Sequence, residues 1–166
     1  MTAVARAVLA LDSSTRGGSV AVGVDGEVVA ERVLEATTGA SSLLMPAVDD
    51  AVRAAGLGPR DLAAVVVGGG PGAFTGLRIA AATAKALVRA LGVPLFAYSG
   101  LMASAAALRQ ALPAAGVAEG GESPAAGLLW LARTIPGRGR VAEPPGWEPE
   151  YLRASGAERI AAAKAG

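Results

Sequence analysis

The sequence predicts an α/β fold with a mixed sheet, and three observations carry that prediction. Residues 65–67 are consecutive valines that run into a glycine-dense loop and a helix start, a pattern typical of a buried strand followed by a crossover helix. Asp25-Gly26 separates two strand-like segments and is a strong hairpin signal. Helix-period segments then alternate with short apolar runs, which indicates parallel strands joined by helices. The 166 residues suffice for one ordinary domain with a core of its own.

The first strand, residues 7–11, ends in Asp12-Ser13-Ser14-Thr15. It therefore brings a carboxylate and three hydroxyls to its carboxyl end, where open α/β sheets bind ligands. Residues 19–24 and 27–33 flank the hairpin turn, so we expect the first three strands to form an antiparallel meander.

Two helices follow. A polar loop at 37–42 precedes a helix over 43–55, with Leu44, Ala47, Val48, Ala51 and Ala55 on one stripe and Pro46 in its first turn. The second helix, 75–91, has two stripes. Leu77, Ala81, Ala84, Val88 and Leu91 form the first, whereas Ile79, Thr83, Ala86 and Ala90 form a second one of smaller residues. One face can thus cover the sheet while the other accepts a second helix, and Arg78, Lys85 and Arg89 form a charged ridge.

In the rest of the chain, the pattern of apolar residues and of glycine, proline and serine predicts four segments. They are a strand at 95–98, a helix from Ser99 to about 112, a linker at 113–123 and a short helix from Ser123-Pro124 to about 134. From Pro136 onward we expect an extended tail anchored by Trp147, Tyr151 and Leu152. The order β-β-β-α-β-α-β-α is that of the ribonuclease-H-like plan, since a doubly wound dinucleotide fold would begin βαβ. We therefore expect one lobe over 1–112, followed by a linker, a short helix and an extended tail over 113–166.

The glycine loop has two open interpretations. Gly68, Gly69, Gly70 and Gly72 precede a helix whose N-terminus could hold phosphate, with Thr75 as its cap and Phe74 and Ile79 as a hydrophobic staple. The glycines could equally serve a tight turn that lets strand and helix pack closely. A triphosphate P-loop is excluded because its lysine is absent. The dinucleotide fingerprint fits poorly, since Pro71 interrupts it and no acid follows 95–98.

Composition excludes several chemistries. The sequence contains neither cysteine nor histidine, which excludes a thiol nucleophile, a Ser-His-Asp triad and a zinc site of the common types. The net charge of +1 gives no overall basis for wrapping nucleic acid. Residues 1–6 lack signal-peptide features, and glycine and proline break up the apolar stretch 90–108, so we expect a cytoplasmic protein without a membrane span. We expect neither a metal nor a cofactor.

Two stretches resemble a known family. Residues 70–79, GPGAFTGLRI, together with residues 9–15, LALDSST, resemble the bacterial tRNA threonylcarbamoyladenosine biosynthesis protein TsaB (YeaZ) family, and residues 149–153, PEYLR, resemble its C-terminal signature. The resemblance is continuous over about 7–112. It implies an actin-like, sugar-kinase-like fold. It also implies a non-catalytic subunit that works with a TsaD-type catalytic subunit and a TsaE-type ATPase. Such a subunit would meet tRNA indirectly, through the complex.

The resemblance also implies roles for particular residues. A vestigial phosphate loop would comprise Asp12, Ser13, Thr15, Gly70, Gly72 and Thr75. The partner-binding surface would comprise Leu44, Val48, Val52, Arg78, Ile79, Ala80, Thr83 and Leu87, although the same helices could instead pack within the chain. A homodimer is a further possible assembly. Two departures from the family are Ala40, where a histidine is usual, and the reduced second lobe. The alternative function is an ATP-dependent small-molecule kinase that uses Asp12 and the loop 68–76; a peptidase lacks its usual residues.

Overall fold

A single mixed sheet organises the molecule. A computed structural model describes residues 6–15, 18–35, 40–111 and 123–151. The strands are β1 (Ala7–Asp12), β2 (Ser19–Val24), β3 (Glu27–Val33), β4 (Leu62–Gly68) and β5 (Leu95–Tyr98), and they lie in the order β3-β2-β1-β4-β5. β1, β2 and β3 form the predicted antiparallel meander, whereas β4 and β5 run parallel to β1. The α/β class and the ribonuclease-H-like order are confirmed.

Five helices accompany the sheet in the described residues: α1 (Ala40–Ala54), α2 (Phe74–Leu91), α3 (Gly100–Ala111), α4 (Pro124–Thr134) and the short α5 (Pro136–Gly139). Two 3-10 turns cover Pro59–Asp61 and Pro144–Gly146. The hairpin turn has positive φ at both Asp25 and Gly26, which is the geometry that matches the twist of the flanking strands.

Helices α1 and α2 cover one face of the sheet. Val65 and Val67 of β4 point into this layer, where they join Leu9 of β1 and Leu44 of α1 in a fully enclosed cluster. Because side chains alternate along a strand, the intervening Val66 points to the other face. All three valines have no exposed surface, as expected for a strand buried on both sides.

Helix α4 covers the opposite face, and α3 packs on α4. Leu128 of α4 is fully buried with Ala10, Val66 and Ala103. The close approach of α3 and α4 depends on Gly127, because a Cβ there would overlap the backbone of Ala103. The second face is thus closed by residues that follow the predicted linker.

Two predicted segments need correction. Helix α1 begins at Ala40 and not at 43, so 40–42 are helical and Pro46 lies inside the helix, beyond its first turn. The segment after Pro136 is not wholly extended, since α5 and the 3-10 turn at Pro144–Gly146 interrupt it. The predicted linker, except for its last residue, and Leu152 lie outside the described residues. The division into lobes 1–112 and 113–166 stays a prediction.

The described helices were also searched for candidate membrane spans. Within the described ranges, none of them combines the length and the apolarity that crossing a bilayer requires.

Replacement of Gly127 by alanine tests the α3–α4 contact. The added Cβ must displace the Ala103 backbone, so we expect Gly127→Ala to lower the free energy of unfolding by about 1–3 kcal/mol. Gly137→Ala is the matched control, because a Cβ there has no neighbour within 4 Å; its effect should stay below about 1 kcal/mol. Urea denaturation followed by circular dichroism measures both, and equal effects would contradict the proposed overlap.

Candidate functional site

The candidate site lies where the loops after β1, β4 and β5 meet. These strands are parallel neighbours, so their carboxyl ends share one edge of the sheet. Backbone hydrogen bonds join the loops directly. Ala73 N donates to the Ser14 carbonyl at 2.8 Å, and Gly100 N donates to the Gly70 carbonyl at 2.7 Å. The chain itself therefore occupies the meeting point of the three loops.

Asp12 is the acidic residue at this point, and its side chain is fully buried. The carboxylate accepts hydrogen bonds from the backbone N–H of Ser14 at 3.0 Å and from the Ser14 hydroxyl at 2.8 Å. Burial raises the pKa of Asp12 above its ordinary value because the charged form is desolvated, and the two Ser14 hydrogen bonds partly oppose that rise. Asp12 is thus a buried carboxylate with a partner from its own loop.

Three glycines allow the loops to touch. A Cβ on Gly68 would collide with the Asp12 carboxylate, and one on Gly72 would collide with Ser14. A Cβ on Gly76 would collide with the Ser13 carbonyl. The Ser13 hydroxyl in turn donates a hydrogen bond of 2.7 Å to the Gly76 carbonyl. At these positions the glycines serve close packing of the chain against itself, which favours the tight-turn interpretation.

The C-terminal part of the described chain closes the loop from outside. Glu150 N donates to the Gly69 carbonyl at 2.7 Å, and Trp147 lies against Gly69. The ring of Tyr151 packs on Phe74 with centroids 4.9 Å apart, while the Arg78 guanidinium lies 5.5 Å from the Phe74 centroid. Trp147 and Tyr151 are therefore anchors, as predicted.

The structure brings four of the six predicted loop residues together and leaves two at the surface. Asp12, Ser13, Gly70 and Gly72 lie in or beside the contact between the loops, whereas the side chains of Thr15 and Thr75 are exposed.

The prediction that Thr75 caps α2 is wrong. The helix begins one residue earlier, at Phe74, with Ala73 as its N-cap and no side-chain cap. Phe74 is therefore the first residue of the helix and not the residue before its N-cap, which the predicted staple with Ile79 requires, and its ring packs on Tyr151. The N-cap N–H of Ala73 is satisfied by the Ser14 carbonyl, which comes from a loop about sixty residues earlier in the chain.

Ser14 is the site residue that the predicted set omitted. It supplies both hydrogen bonds to Asp12 and the carbonyl that receives the Ala73 N–H. The sequence does carry a signal for it, because an Asp whose side chain accepts from the N–H two residues later forms an Asx-turn.

The predicted partner-binding residues divide by burial. Leu44, Val48, Val52 and Ala80 are at most 4% exposed and belong to the core between the helices and the sheet. Ile79, Thr83 and Leu87 are half-buried, and Arg78 is exposed. Partner binding stays a prediction for all eight residues, and a surface that a partner could reach would be built from the second group.

The described residues contain no group of three or more Asp, Glu, His or Cys side chains placed to hold a metal ion. At this sheet edge the structure shows one buried carboxylate, neighbouring hydroxyls and backbone groups that bond to each other.

Residues 34–130, more than half of the chain, match the family model described as TsaD: tRNA N6-adenosine threonylcarbamoyltransferase. The chain belongs to this family. TsaB proteins, each named as a tRNA threonylcarbamoyladenosine biosynthesis protein, are among its relatives. That of Bacillus subtilis is 35% identical over 99 residues, which cover 60% of this chain and 43% of the relative. That of Haemophilus influenzae is 37% identical over 100 residues, 60% of this chain and 42% of the relative. The resemblance to the TsaB (YeaZ) family is thereby confirmed.

Solved structures agree with this placement. YeaZ from Pseudomonas aeruginosa superposes with a TM-score of 0.59 at 34% identity and covers 65% of this chain and 50% of its own. RuvC from T. thermophilus superposes with a TM-score of 0.57 at 13% identity and supports the fold alone. The matches span less than half the length of the TsaB relatives given above.

Substitution of Asp12 by asparagine tests the buried carboxylate. The folded-state pKa lies above the ordinary value of 3.8, so the folded chain holds this proton more tightly than the unfolded chain. Wild-type stability should therefore fall, relative to Asp12→Asn, as pH rises from that value through the folded-state pKa. Urea denaturation between about pH 4 and about pH 8 measures the difference.

The matched control is Glu143→Gln, because Glu143 is exposed. Its stability is measured over the same pH range. Wild-type stability that stays constant or rises relative to Asp12→Asn as pH rises would contradict the assignment of a desolvated carboxyl.

Proposed function

We propose that this chain is a non-catalytic scaffold and activating subunit of a tRNA threonylcarbamoyladenosine transferase complex. Its family and its TsaB relatives support a role in tRNA threonylcarbamoyladenosine biosynthesis. The observation that carries the non-catalytic role is the packing around Asp12. Kinases and ATPases of related folds use carboxylates to hold metal-bound phosphate. Here the carboxylate is fully buried and bonded to Ser14, and the Ser13 and Ser14 backbone lies against the glycines that would surround a phosphate.

The alternative is an ATP-dependent small-molecule kinase that uses Asp12 and the loop 68–76. The same contacts weigh against it, because the loop would have to separate from Ser14 before a phosphate could enter. Magnesium-dependent ATP turnover by the isolated chain, lost in Asp12→Ala, would favour the kinase over the scaffold.

The proposed docking surface for a TsaD-type catalytic subunit is the outer side of the α1–α2 pair. The contacts of the two helices support this choice. Asp50 of α1 pairs with Arg32 of β3, so that side of α1 faces the sheet edge. Lys85 of α2 reaches the Pro145 carbonyl, so that side of α2 faces the C-terminal segment. By helical periodicity Thr83 lies on the side of α2 opposite Lys85, toward α1, and the exposed Ala86 lies between them on the outer surface.

This surface suits another helix. Thr83 is half-buried, Ala86 and Ala90 are exposed, and Met45 of α1 is 48% exposed. Small side chains allow two helix axes to approach closely, and the larger Met45 adds apolar area that a partner could bury. In the same proposal a TsaE-type ATPase joins the complex in the cytoplasm, tRNA is met through the complex, and a homodimer would compete for this surface.

A paired substitution tests the docking surface. Ala86→Arg places a long charged side chain where a partner helix would approach, so we expect its affinity for the TsaD-type subunit of the same organism to fall about tenfold or more. Ala54→Arg is the matched control. Ala54 is an exposed helical alanine one turn after Asp50, hence on the β3 side of α1. Titration calorimetry and threonylcarbamoylation of a tRNA transcript measure both variants.

The control should retain wild-type affinity and activity. Equal binding by the two variants would contradict this surface. If the wild-type chain neither bound the catalytic subunit nor raised its activity, the scaffold proposal itself would be wrong.

A further inference from the structure

A second surface lies outside the β5 edge of the sheet. It is a groove of about 480 Å³ between β5 and the segment 138–147. Main-chain contacts hold that segment against the strand, since Val141 N donates to the Leu95 carbonyl at 2.9 Å and Arg140 bridges to Phe96. Gly139 packs against the ring of Tyr98, where a Cβ would not fit. The groove is therefore built on a fixed backbone.

Two arginines line this groove. Arg138 and Arg140 are both exposed, two positions apart on the fixed segment. Arg138 forms no ion pair or side-chain hydrogen bond with any described residue, and the Arg140 guanidinium lies 6.0 Å from the Phe96 ring centroid. Glu143 also lines the groove, so the local charge is positive by one. Arginine forks of this kind match the geometry of phosphate oxygens.

An aromatic residue forms the other wall. Trp147 lines the groove, with one edge against Gly69 and part of its ring packed against the core, so that only a part of the side chain is exposed. Aromatic side chains beside cationic side chains are the combination that single-stranded nucleic acids use, because bases stack on the rings while phosphates meet the cations.

The basic surface continues onto α2. The Lys85 ammonium donates a hydrogen bond to the Pro145 carbonyl and lies 3.7 Å from the Glu148 carboxylate. Glu148 therefore partly neutralises the charge of Lys85. Arg89 follows one turn later on the same ridge and is exposed. This ridge lies on the side of α2 opposite Thr83, with Ala86 between them on the outer surface, so the groove and the proposed docking surface are centred on different sides of one helix.

We propose that this groove binds a single-stranded segment of RNA, with phosphates on Arg138 and Arg140 and a base stacked on Trp147. The inference rests on the proposed function and goes beyond it, because it adds a direct contact with the RNA to the indirect one made through the complex. An acidic peptide would satisfy the arginines but would leave the aromatic wall without a stacking partner.

The test measures binding of a fluorescein-labelled ten-uridine oligonucleotide and of an unmodified tRNA transcript to the full chain by fluorescence anisotropy. We expect the double variant Arg138→Glu/Arg140→Glu to bind both at least tenfold more weakly than wild type. The slope of log affinity against log salt should fall by about 0.7 for each phosphate contact removed. Arg60→Glu is the control, since Arg60 is exposed in the Pro59–Asp61 turn at the opposite end of β4.

The outcomes separate the proposals. The control should bind like wild type, and the double variant should still bind the catalytic subunit in calorimetry, which shows that it is folded. Absent RNA binding by wild type, equal affinities of wild type and double variant, or equal displacement of the oligonucleotide by polyglutamate would each overturn the groove assignment. None of these results tests the docking of the catalytic subunit, which the titration of Ala86→Arg and Ala54→Arg measures separately.

Discussion

The packing of the loop after β1 against the start of α2 is the constraint on which the rest of the site depends. Ser14 bonds to Asp12 through its own N–H and hydroxyl and to Ala73 through its carbonyl. A buried carboxylate is costly unless it is hydrogen-bonded, and Ser14 supplies those bonds without any second charge. The same contact sets where α2 begins. The Ser14 carbonyl accepts a hydrogen bond from the N–H of Ala73, and the helix begins at the next residue, Phe74.

This constraint explains how the glycine loop can have the composition of a phosphate loop while its glycines lie against the chain itself in the described structure. Both kinds of loop need positions without a Cβ, since something approaches the backbone closely. In a phosphate loop that neighbour is an anion. In this chain it is the Asp12 side chain at Gly68 and the Ser13 and Ser14 backbone at Gly76 and Gly72. The sequence pattern indicates that a Cβ is excluded at these positions, but it does not indicate which group approaches the backbone there.

Local signals predicted the fold well. The Asp25-Gly26 turn, the valine run of β4 and the order of strands and helices all follow from rules that act within a few residues. The errors arose where distant residues decide. Thr75 was expected to cap α2, but the Ser14 carbonyl already satisfies the N–H at that helix start. The coverage of the second face by α4 was not predicted either, because the composition of 113–123 indicated a linker and gave no direction for the helix beyond it.

Helix α2 has three differently used sides, which follow from its position over the centre of the sheet. Leu77 and Ala84 of its apolar stripe are fully buried and fix the helix in place. The side toward α1 carries small residues and is partly open, whereas the side toward β5 carries Lys85 and Arg89 and meets the C-terminal segment. A helix fixed by one stripe can present the other two independently, because substitutions there leave the core unchanged. A protein partner and an RNA strand could then be bound at once, on surfaces that share a rigid support but no residue.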